Sequence, residues 1–298
     1  MDPRPVCLPP LPGEHAFGHA ERINHVNAAP SQHRWSDPSR SYDPGSSTPL
    51  DWIAQSCGMS APNYAQQHTL LPFGKYESHA SEFDAVRHCT PQLLRMSRWT
   101  RYGRHAKWCT ACAAQDLRKF TISYWRRAHQ LPGLVECPEH RCPLQHVEAL
   151  CRFEQGPHAY ASGSQSVPRS RRGKTSEVLQ RYQAVAIEML NPQTQPTGRL
   201  WMQFGGRVAN VGPCLLHTES RSLHIPLAYA KSVLTDAWID EVHCPFMALR
   251  LKRAGRENDV VAEGSTALAT ALAIWSASVT AAVKLLHPHS TGTFSPLN

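Results

Sequence analysis

The sequence predicts a mostly α-helical protein with a small zinc-ribbon-like module, an N-terminal helical hairpin of helix-turn-helix type and a poorly defined helical C-terminal half. Three observations lead there. Cys109-Thr110-Ala111-Cys112 and Cys137-Pro138-Glu139-His140 lie 24 residues apart, in the C-x2-C and C-x2-H spacing of a tetrahedral zinc site. Gly58 and Ser60 form a helix stop followed by a helix start. Large apolar residues at Leu268, Leu272, Trp275, Val279, Val283 and Leu286 recur at steps of three and four, one face of a helix.

Taken in order, Pro12 and Gly13 stop the proline-rich opening, and Glu14 to Asn27 can then be helical, with a weak stripe of Phe17, Ala20, Ile23 and Asn24. The Ser/Pro/Asp/Gly-rich stretch from Pro30 to Pro49 reads as loop. The stretch from Leu50 reads as a helix ended by Gly58, which tolerates the left-handed conformation of a tight turn. Ser60 caps a second helix, Ala61 to His68. This hairpin has two readings, a structural element or a DNA-reading one. Asn63, Gln66, Gln67 and His68 allow base-edge contact, but the helix has no Lys or Arg for phosphates.

The zinc module comes next, and its set of three thiolates and one imidazole leaves no open position for water, so one structural Zn2+ is expected. Cys142, two residues past His140, is a spare thiol that competes for the metal. The insert is expected to be a helix from about Asp116 to Gln130, with Phe120, Tyr124 and Ala128 on one face. His129 has three readings: an interior histidine, a group supporting a ligand, or a surface contact. Phe153 to Ser176 loses apolar content and carries Arg169-Ser170-Arg171-Arg172-Gly173-Lys174, a basic linker. Glu177 to Leu190 and Pro226 to Trp238 read as helices, 239 to 265 as irregular, and 267 to 286 as a packed or partner-binding helix. The organisation is thus 1–105 helical, 106–150 zinc module, 151–176 linker and 177–298 helical.

The formal net charge is +8. Arg95 to Arg127 holds nine Lys or Arg against one acid, Asp116, a charge equal to the whole excess. Such a window suits a phosphate backbone, or is a solvated face. Arg101, Arg104, Lys107, Arg118, Lys119, Arg126 and Arg127 are the candidate DNA contacts. Of the 10 cysteines, those outside the metal spacing are scattered, and no apolar leader opens the chain. Both points suggest a reducing, cytoplasmic setting without a membrane span.

Catalytic patterns are missing. His19-Ala20-Glu21 imitates half of a zinc-deaminase motif, but Trp108 rather than Pro precedes Cys109, and Cys137 and His140 would have no role. No H-E-x-x-H, G-x-S-x-G or Walker motif is present.

Cys109-x-x-Cys112, Asp116, Tyr124-Trp125-Arg126, His129-Gln130-Leu131-Pro132-Gly133, Cys137-Pro138-x-His140 and Leu144 together resemble the TniQ family, which is related to the transposon target selector TnsD. Leu8-Pro9-Pro10-Leu11-Pro12-Gly13-Glu14, with Arg22 and Asn27, is similar to the family's start. Thr110 stands where members often have Pro, and Lys119-Phe120 where a small residue is common. The resemblance covers roughly residues 8 to 150. It implies a non-enzymatic accessory role in transposition: helping to select target sites by linking DNA, or a target-recognition complex, to an AAA+ ATPase regulator. The competing expectation is a sequence-specific DNA-binding regulator that reads with Ala61 to His68.

Overall fold

The computed structural model describes residues 6–27, 49–74, 106–147, 153–161, 176–191, 194, 208–218, 221–234, 236–242 and 259–287. The chain divides into two units, Met1–Leu71 with Asp84–Arg169 and Pro72–Phe83 with Ser170–Asn298.

In the first unit, α1 (Ala16–Val26) starts at His15, whose side chain accepts from the Phe17 N–H. It ends where the Asn27 amide returns to the Ile23 and Val6 carbonyls. The expected hairpin is present. α2 (Pro49–Ser56) is followed by Gly58 at φ 69°, a left-handed turn that a side chain would strain. α3 (Ala61–His68) is capped by Ser60, which accepts from the Asn63 N–H. α1, α2 and α3 bury Ala16, Ala20, Ile23, Leu50, Ile53, Ala54, Tyr64 and Ala65 in one cluster. A single turn, α4 (Leu71–Gly74), follows.

The metal-binding segment opens with β1 (Ala106–Trp108), which pairs antiparallel with β2 (Gln145–Val147) in the register Lys107↔His146. Between them lie α5 (Thr110–Phe120) and a 3-10 turn at Ala128–Gln130. This corrects the helix expected from Asp116 to Gln130. The Cys109 thiol caps the helix, so it begins at the first ligand pair. It ends at Thr121, which is left-handed at φ 64°. The β-branched and aromatic residues after Thr121, up to Trp125, favour extended backbone, and the segment at Gly13 to His15 meets it in one antiparallel bridge, Glu14 to Arg126. His15 N–H donates to the Trp125 carbonyl (2.7 Å) and Arg127 N–H to the Gly13 carbonyl (2.8 Å). The Tyr124 hydroxyl donates to the Pro12 carbonyl (2.9 Å). The N-terminal segment and the insert therefore zip together, and the expected boundary at 105/106 falls inside one unit. Part of the expected linker packs here too: Phe153 lies against His15 and Trp125, whose indole N–H donates to the Gln155 carbonyl. The Arg169–Lys174 tract lies outside the described residues.

The second unit contains helices, as expected, and also a sheet. α6 (Glu177–Glu188) is capped by Ser176. β3 (Val208–Val211), β4 (Cys214–His217), β5 (Ser222–Pro226) and β6 (Asp259–Glu263) form an antiparallel sheet in the order β3-β4-β5-β6. The reading of 226–238 as one helix is corrected to α7 (Leu227–Val233) and α8 (Asp236–Val242), broken at Leu234. The stripe at 267–286 is likewise two helices, α9 (Gly264–Trp275) and α10 (Val279–Lys284). α9 is buried on nearly every side: Ala267, Leu268, Ala269, Ala271, Leu272 and Ala273 are all inaccessible. It packs against α6 and the sheet. Tyr182 meets Trp238 edge-on at 5.6 Å. No helix among the described residues is long and apolar enough to cross a membrane.

Candidate metal centre

Cys109 lies between β1 and α5, and Cys112 in the first turn of α5. The Cys112 N–H points at the Cys109 sulfur (3.4 Å). Cys137 and His140 lie in a tight turn where the His140 N–H points at the Cys137 sulfur, also at 3.4 Å. The four ligand atoms all fall within 4.8 Å of one another, three on buried residues and His140 exposed. Cys112 and Cys137 sulfurs are 3.6 Å apart, and His140 Nδ1 is 3.3, 3.6 and 3.7 Å from Cys112, Cys137 and Cys109. A tetrahedral Zn–S of about 2.3 Å and Zn–N of about 2.0 Å give edges of about 3.8 and 3.6 Å. The group has the size of such a tetrahedron and could hold a metal ion.

The thiols share protons unevenly. Hydrogen bonds from Cys112 and Cys137 hold Cys109 down at about 2, and Cys112 is pushed up, chiefly by its bond to Cys109. Ionising all three sulfurs this close together would require a cation between them. Of the three readings for His129, the structure shows an interior residue placed against the ligands. It is buried, with Nε2 3.5 Å from the Cys137 sulfur and 3.9 Å from that of Cys112. Burial pulls its pKa down.

The motif residues around the ligands brace this geometry. The Gln130 side chain substitutes for a strand partner, accepting from the Lys107 N–H (3.0 Å) and donating to the Lys107 carbonyl (2.7 Å). Pro132 and Gly133 turn the chain, with Gly133 at φ 68° and the Leu134 N–H returned to the Leu131 carbonyl. Arg126 pairs with the buried Asp116 at 2.8 Å and with Glu139, joining α5, the insert and the second ligand turn. Sequence reasoning missed Glu14 as a site-building residue. It bonds Arg22 bidentately (3.0 and 2.8 Å), and its backbone bridges to Arg126.

The candidate DNA contacts separate sharply. Arg101 and Arg104 lie outside the described residues. Lys107 is fully buried, its ammonium donating to the Leu131 and Leu134 carbonyls. Arg126 is held by its two carboxylates. Arg127 donates to the Gln66 and Thr69 carbonyls, and burial lowers its pKa to about 10. Arg118 and Lys119 are exposed on α5. On α3, Asn63, Gln66 and Gln67 are exposed, whereas His68 is buried and bonded to the Glu14 carbonyl at 3.0 Å.

A helical hairpin zipped to a segment whose Cys3His cluster could hold a metal ion defines a mostly helical domain. Residues 5–144 match the model of the TniQ family of transposition-associated accessory proteins, which supports assigning this part of the chain to that family. No curated protein matches the chain.

Proposed function

We propose that this protein is a non-enzymatic adaptor in DNA transposition. In this reading it helps choose the insertion site by bridging target DNA, or a target-recognition complex, to an AAA+ ATPase regulator in the cytoplasm. The observation that carries this reading is the TniQ match over residues 5–144, which takes in both the helical hairpin and the ligand cluster. Cys109, Cys112, Cys137 and His140 would hold one Zn2+, which supplies a crosslink between the two ligand turns. With all four corners taken by protein, the role is structural.

Arg118 and Lys119, exposed at the end of α5, with Arg101 and Arg104 before β1, are the cations proposed to meet DNA phosphates. Lys107, Arg126 and Arg127 instead hold the domain together. The alternative of a sequence-specific regulator draws support from Asn63, Gln66 and Gln67 on the outer face of α3, but that face lacks a cation for the phosphates on either side.

The test combines pull-down of the AAA+ regulator of the same element with footprinting of the purified protein. The adaptor reading expects regulator capture and weak, unselective DNA binding. A site-selective footprint without a partner, together with failure to capture the regulator, would refute it.

A further inference from the structure

We infer that Cys142 is a reserve metal ligand that takes the fourth corner of the site when His140 leaves it. This rests on the metal reading of the Cys3His group and deepens it. The turn from Cys137 to Cys142 is closed at both ends: Cys137 N–H donates to the Cys142 carbonyl (2.8 Å), and Arg141 N–H to the Cys137 carbonyl (2.9 Å). Arg141 is left-handed at φ 51°. This backbone folds the turn over so that two donors, two residues apart in sequence, approach the same ligand. His140 Nδ1 is 3.7 Å from the Cys109 sulfur, and the Cys142 sulfur is 3.3 Å from it.

The two donors differ in exposure and chemistry. His140 is exposed while Cys109, Cys112 and Cys137 are buried, so it is the corner that solvent or a partner reaches. Cys142 is half-buried. A thiolate is the softer donor and suits zinc at least as well as imidazole. In the exchange, Cys142 gives its proton to solvent, its sulfur lone pair forms the bond to the metal, and the bond from His140 Nδ1 breaks to leave a neutral imidazole. The site gains one negative charge, since four thiolates replace three thiolates and a neutral ring. His140 is then free for another contact while the fold stays stapled.

A simpler arrangement, with Cys142 only donating a hydrogen bond to the Cys109 sulfur, gives different results in cobalt(II) titrations of the full chain. The set is the unsubstituted protein, His140→Ala, Cys142→Ser and the double variant. A reserve ligand predicts that each single variant keeps one cobalt with affinity within about tenfold of the unsubstituted protein. His140→Ala should gain sulfur-to-cobalt charge-transfer absorbance and shift its visible bands to longer wavelength. The double variant should fall by more than the roughly 10- to 100-fold typical of losing a supporting contact. Alkylation followed by mass spectrometry provides a second readout: zinc should protect Cys142 in His140→Ala but not in the unsubstituted protein. The inference is overturned if His140→Ala loses cobalt while the unsubstituted protein binds it, or keeps cobalt with a spectrum that adding Cys142→Ser does not change. Failure of the unsubstituted protein to bind cobalt or zinc would remove the metal reading itself.

Discussion

In the first unit the buried residues include Glu14, Glu21, Lys107 and Asp116, together with His15, His19, His68 and His129. In the second, the buried polar residues among those described are Gln183, Thr194, Ser222, His224, Thr266, Thr270 and Ser276, none of them Asp, Glu, Lys or Arg. Its centre is instead α9 against α6 and the sheet, with Tyr182 on Trp238. The first unit is thus held by directed bonds that each need a specific partner: Glu14 to Arg22, Lys107 to two carbonyls, and Asp116 and Glu139 to Arg126, beside a Cys3His cluster that could hold a metal ion. The second is held mainly by apolar burial, which is additive and undirected. A unit built on directed bonds keeps a precise surface but should be the more sensitive to pH and, on the proposed zinc reading, to metal removal.

Metal removal should separate the units most strongly. Structural zinc supplies about 10–16 kcal/mol in small modules, as much as the whole stability of a typical domain. Chelation or Cys112→Ser should therefore abolish hydrogen-exchange protection across residues 106–147 and leave α6 and α9 protected. Full zinc content and unchanged protection in Cys112→Ser would remove that residue from the ligand set.

Single buried side chains come next. Glu14→Ala leaves Arg22 with the Pro9 carbonyl but without its carboxylate, and because Arg22 is partly exposed the loss is at most about 3–5 kcal/mol, the cost of breaking a buried pair. Trp238→Ala opens a cavity in the second unit at a similar cost of about 3–5 kcal/mol. Urea unfolding followed by exchange should show each loss confined to its own unit. A global loss from either variant would show that the two units unfold as one.

The pH response should be smaller and confined to the first unit. Burial, with Arg127 nearby, lowers His15 to about 3; burial lowers His19 to about 4; burial also lowers His68. The unfolded chain takes up these protons first, near pH 6.5. The stability from keeping these rings neutral is present above that pH and is lost as pH falls toward 4. The slope is at most about 1.4 kcal/mol per pH unit for each ring. Thermal melts at saturating zinc between pH 7.5 and 4.5 should show the first unit weakening, and His19→Gln should flatten the slope. An unchanged slope in that variant would show that His19 does not carry it.

The smallest stability effect is expected at Arg118 and Lys119, where exposed substitutions stay within about 0.5 kcal/mol. Reversing both to Glu should still weaken DNA association and reduce its salt dependence. Unchanged association would move the DNA contact away from α5.

The hairpin was legible because caps are local: Ser60 and Gly58 act on the backbone within a turn of themselves. The four ligands were legible because zinc demands a fixed spacing. The extended segment at Ser123 to Trp125 was not, because the backbone it bridges to, Gly13 to His15, lies more than a hundred residues away. The burial of Lys107 was equally hidden. A lysine in a basic run reads as surface until two carbonyls, those of Leu131 and Leu134, are seen to meet it. The sheet in the second unit escaped because its strands are four or five residues long, too short for alternation to stand out.

By itself, then, the sequence determined the ligand quartet, the hairpin and the TniQ resemblance, all set by residue type and short spacing. Only the tertiary structure decided which cations are free and which are structural, and that His129 and Cys142 stand against the ligand sulfurs. It also decided that the chain's opening segment completes the metal-binding unit. Each of these depends on which distant group comes to meet a side chain, and local chemistry carries no record of that.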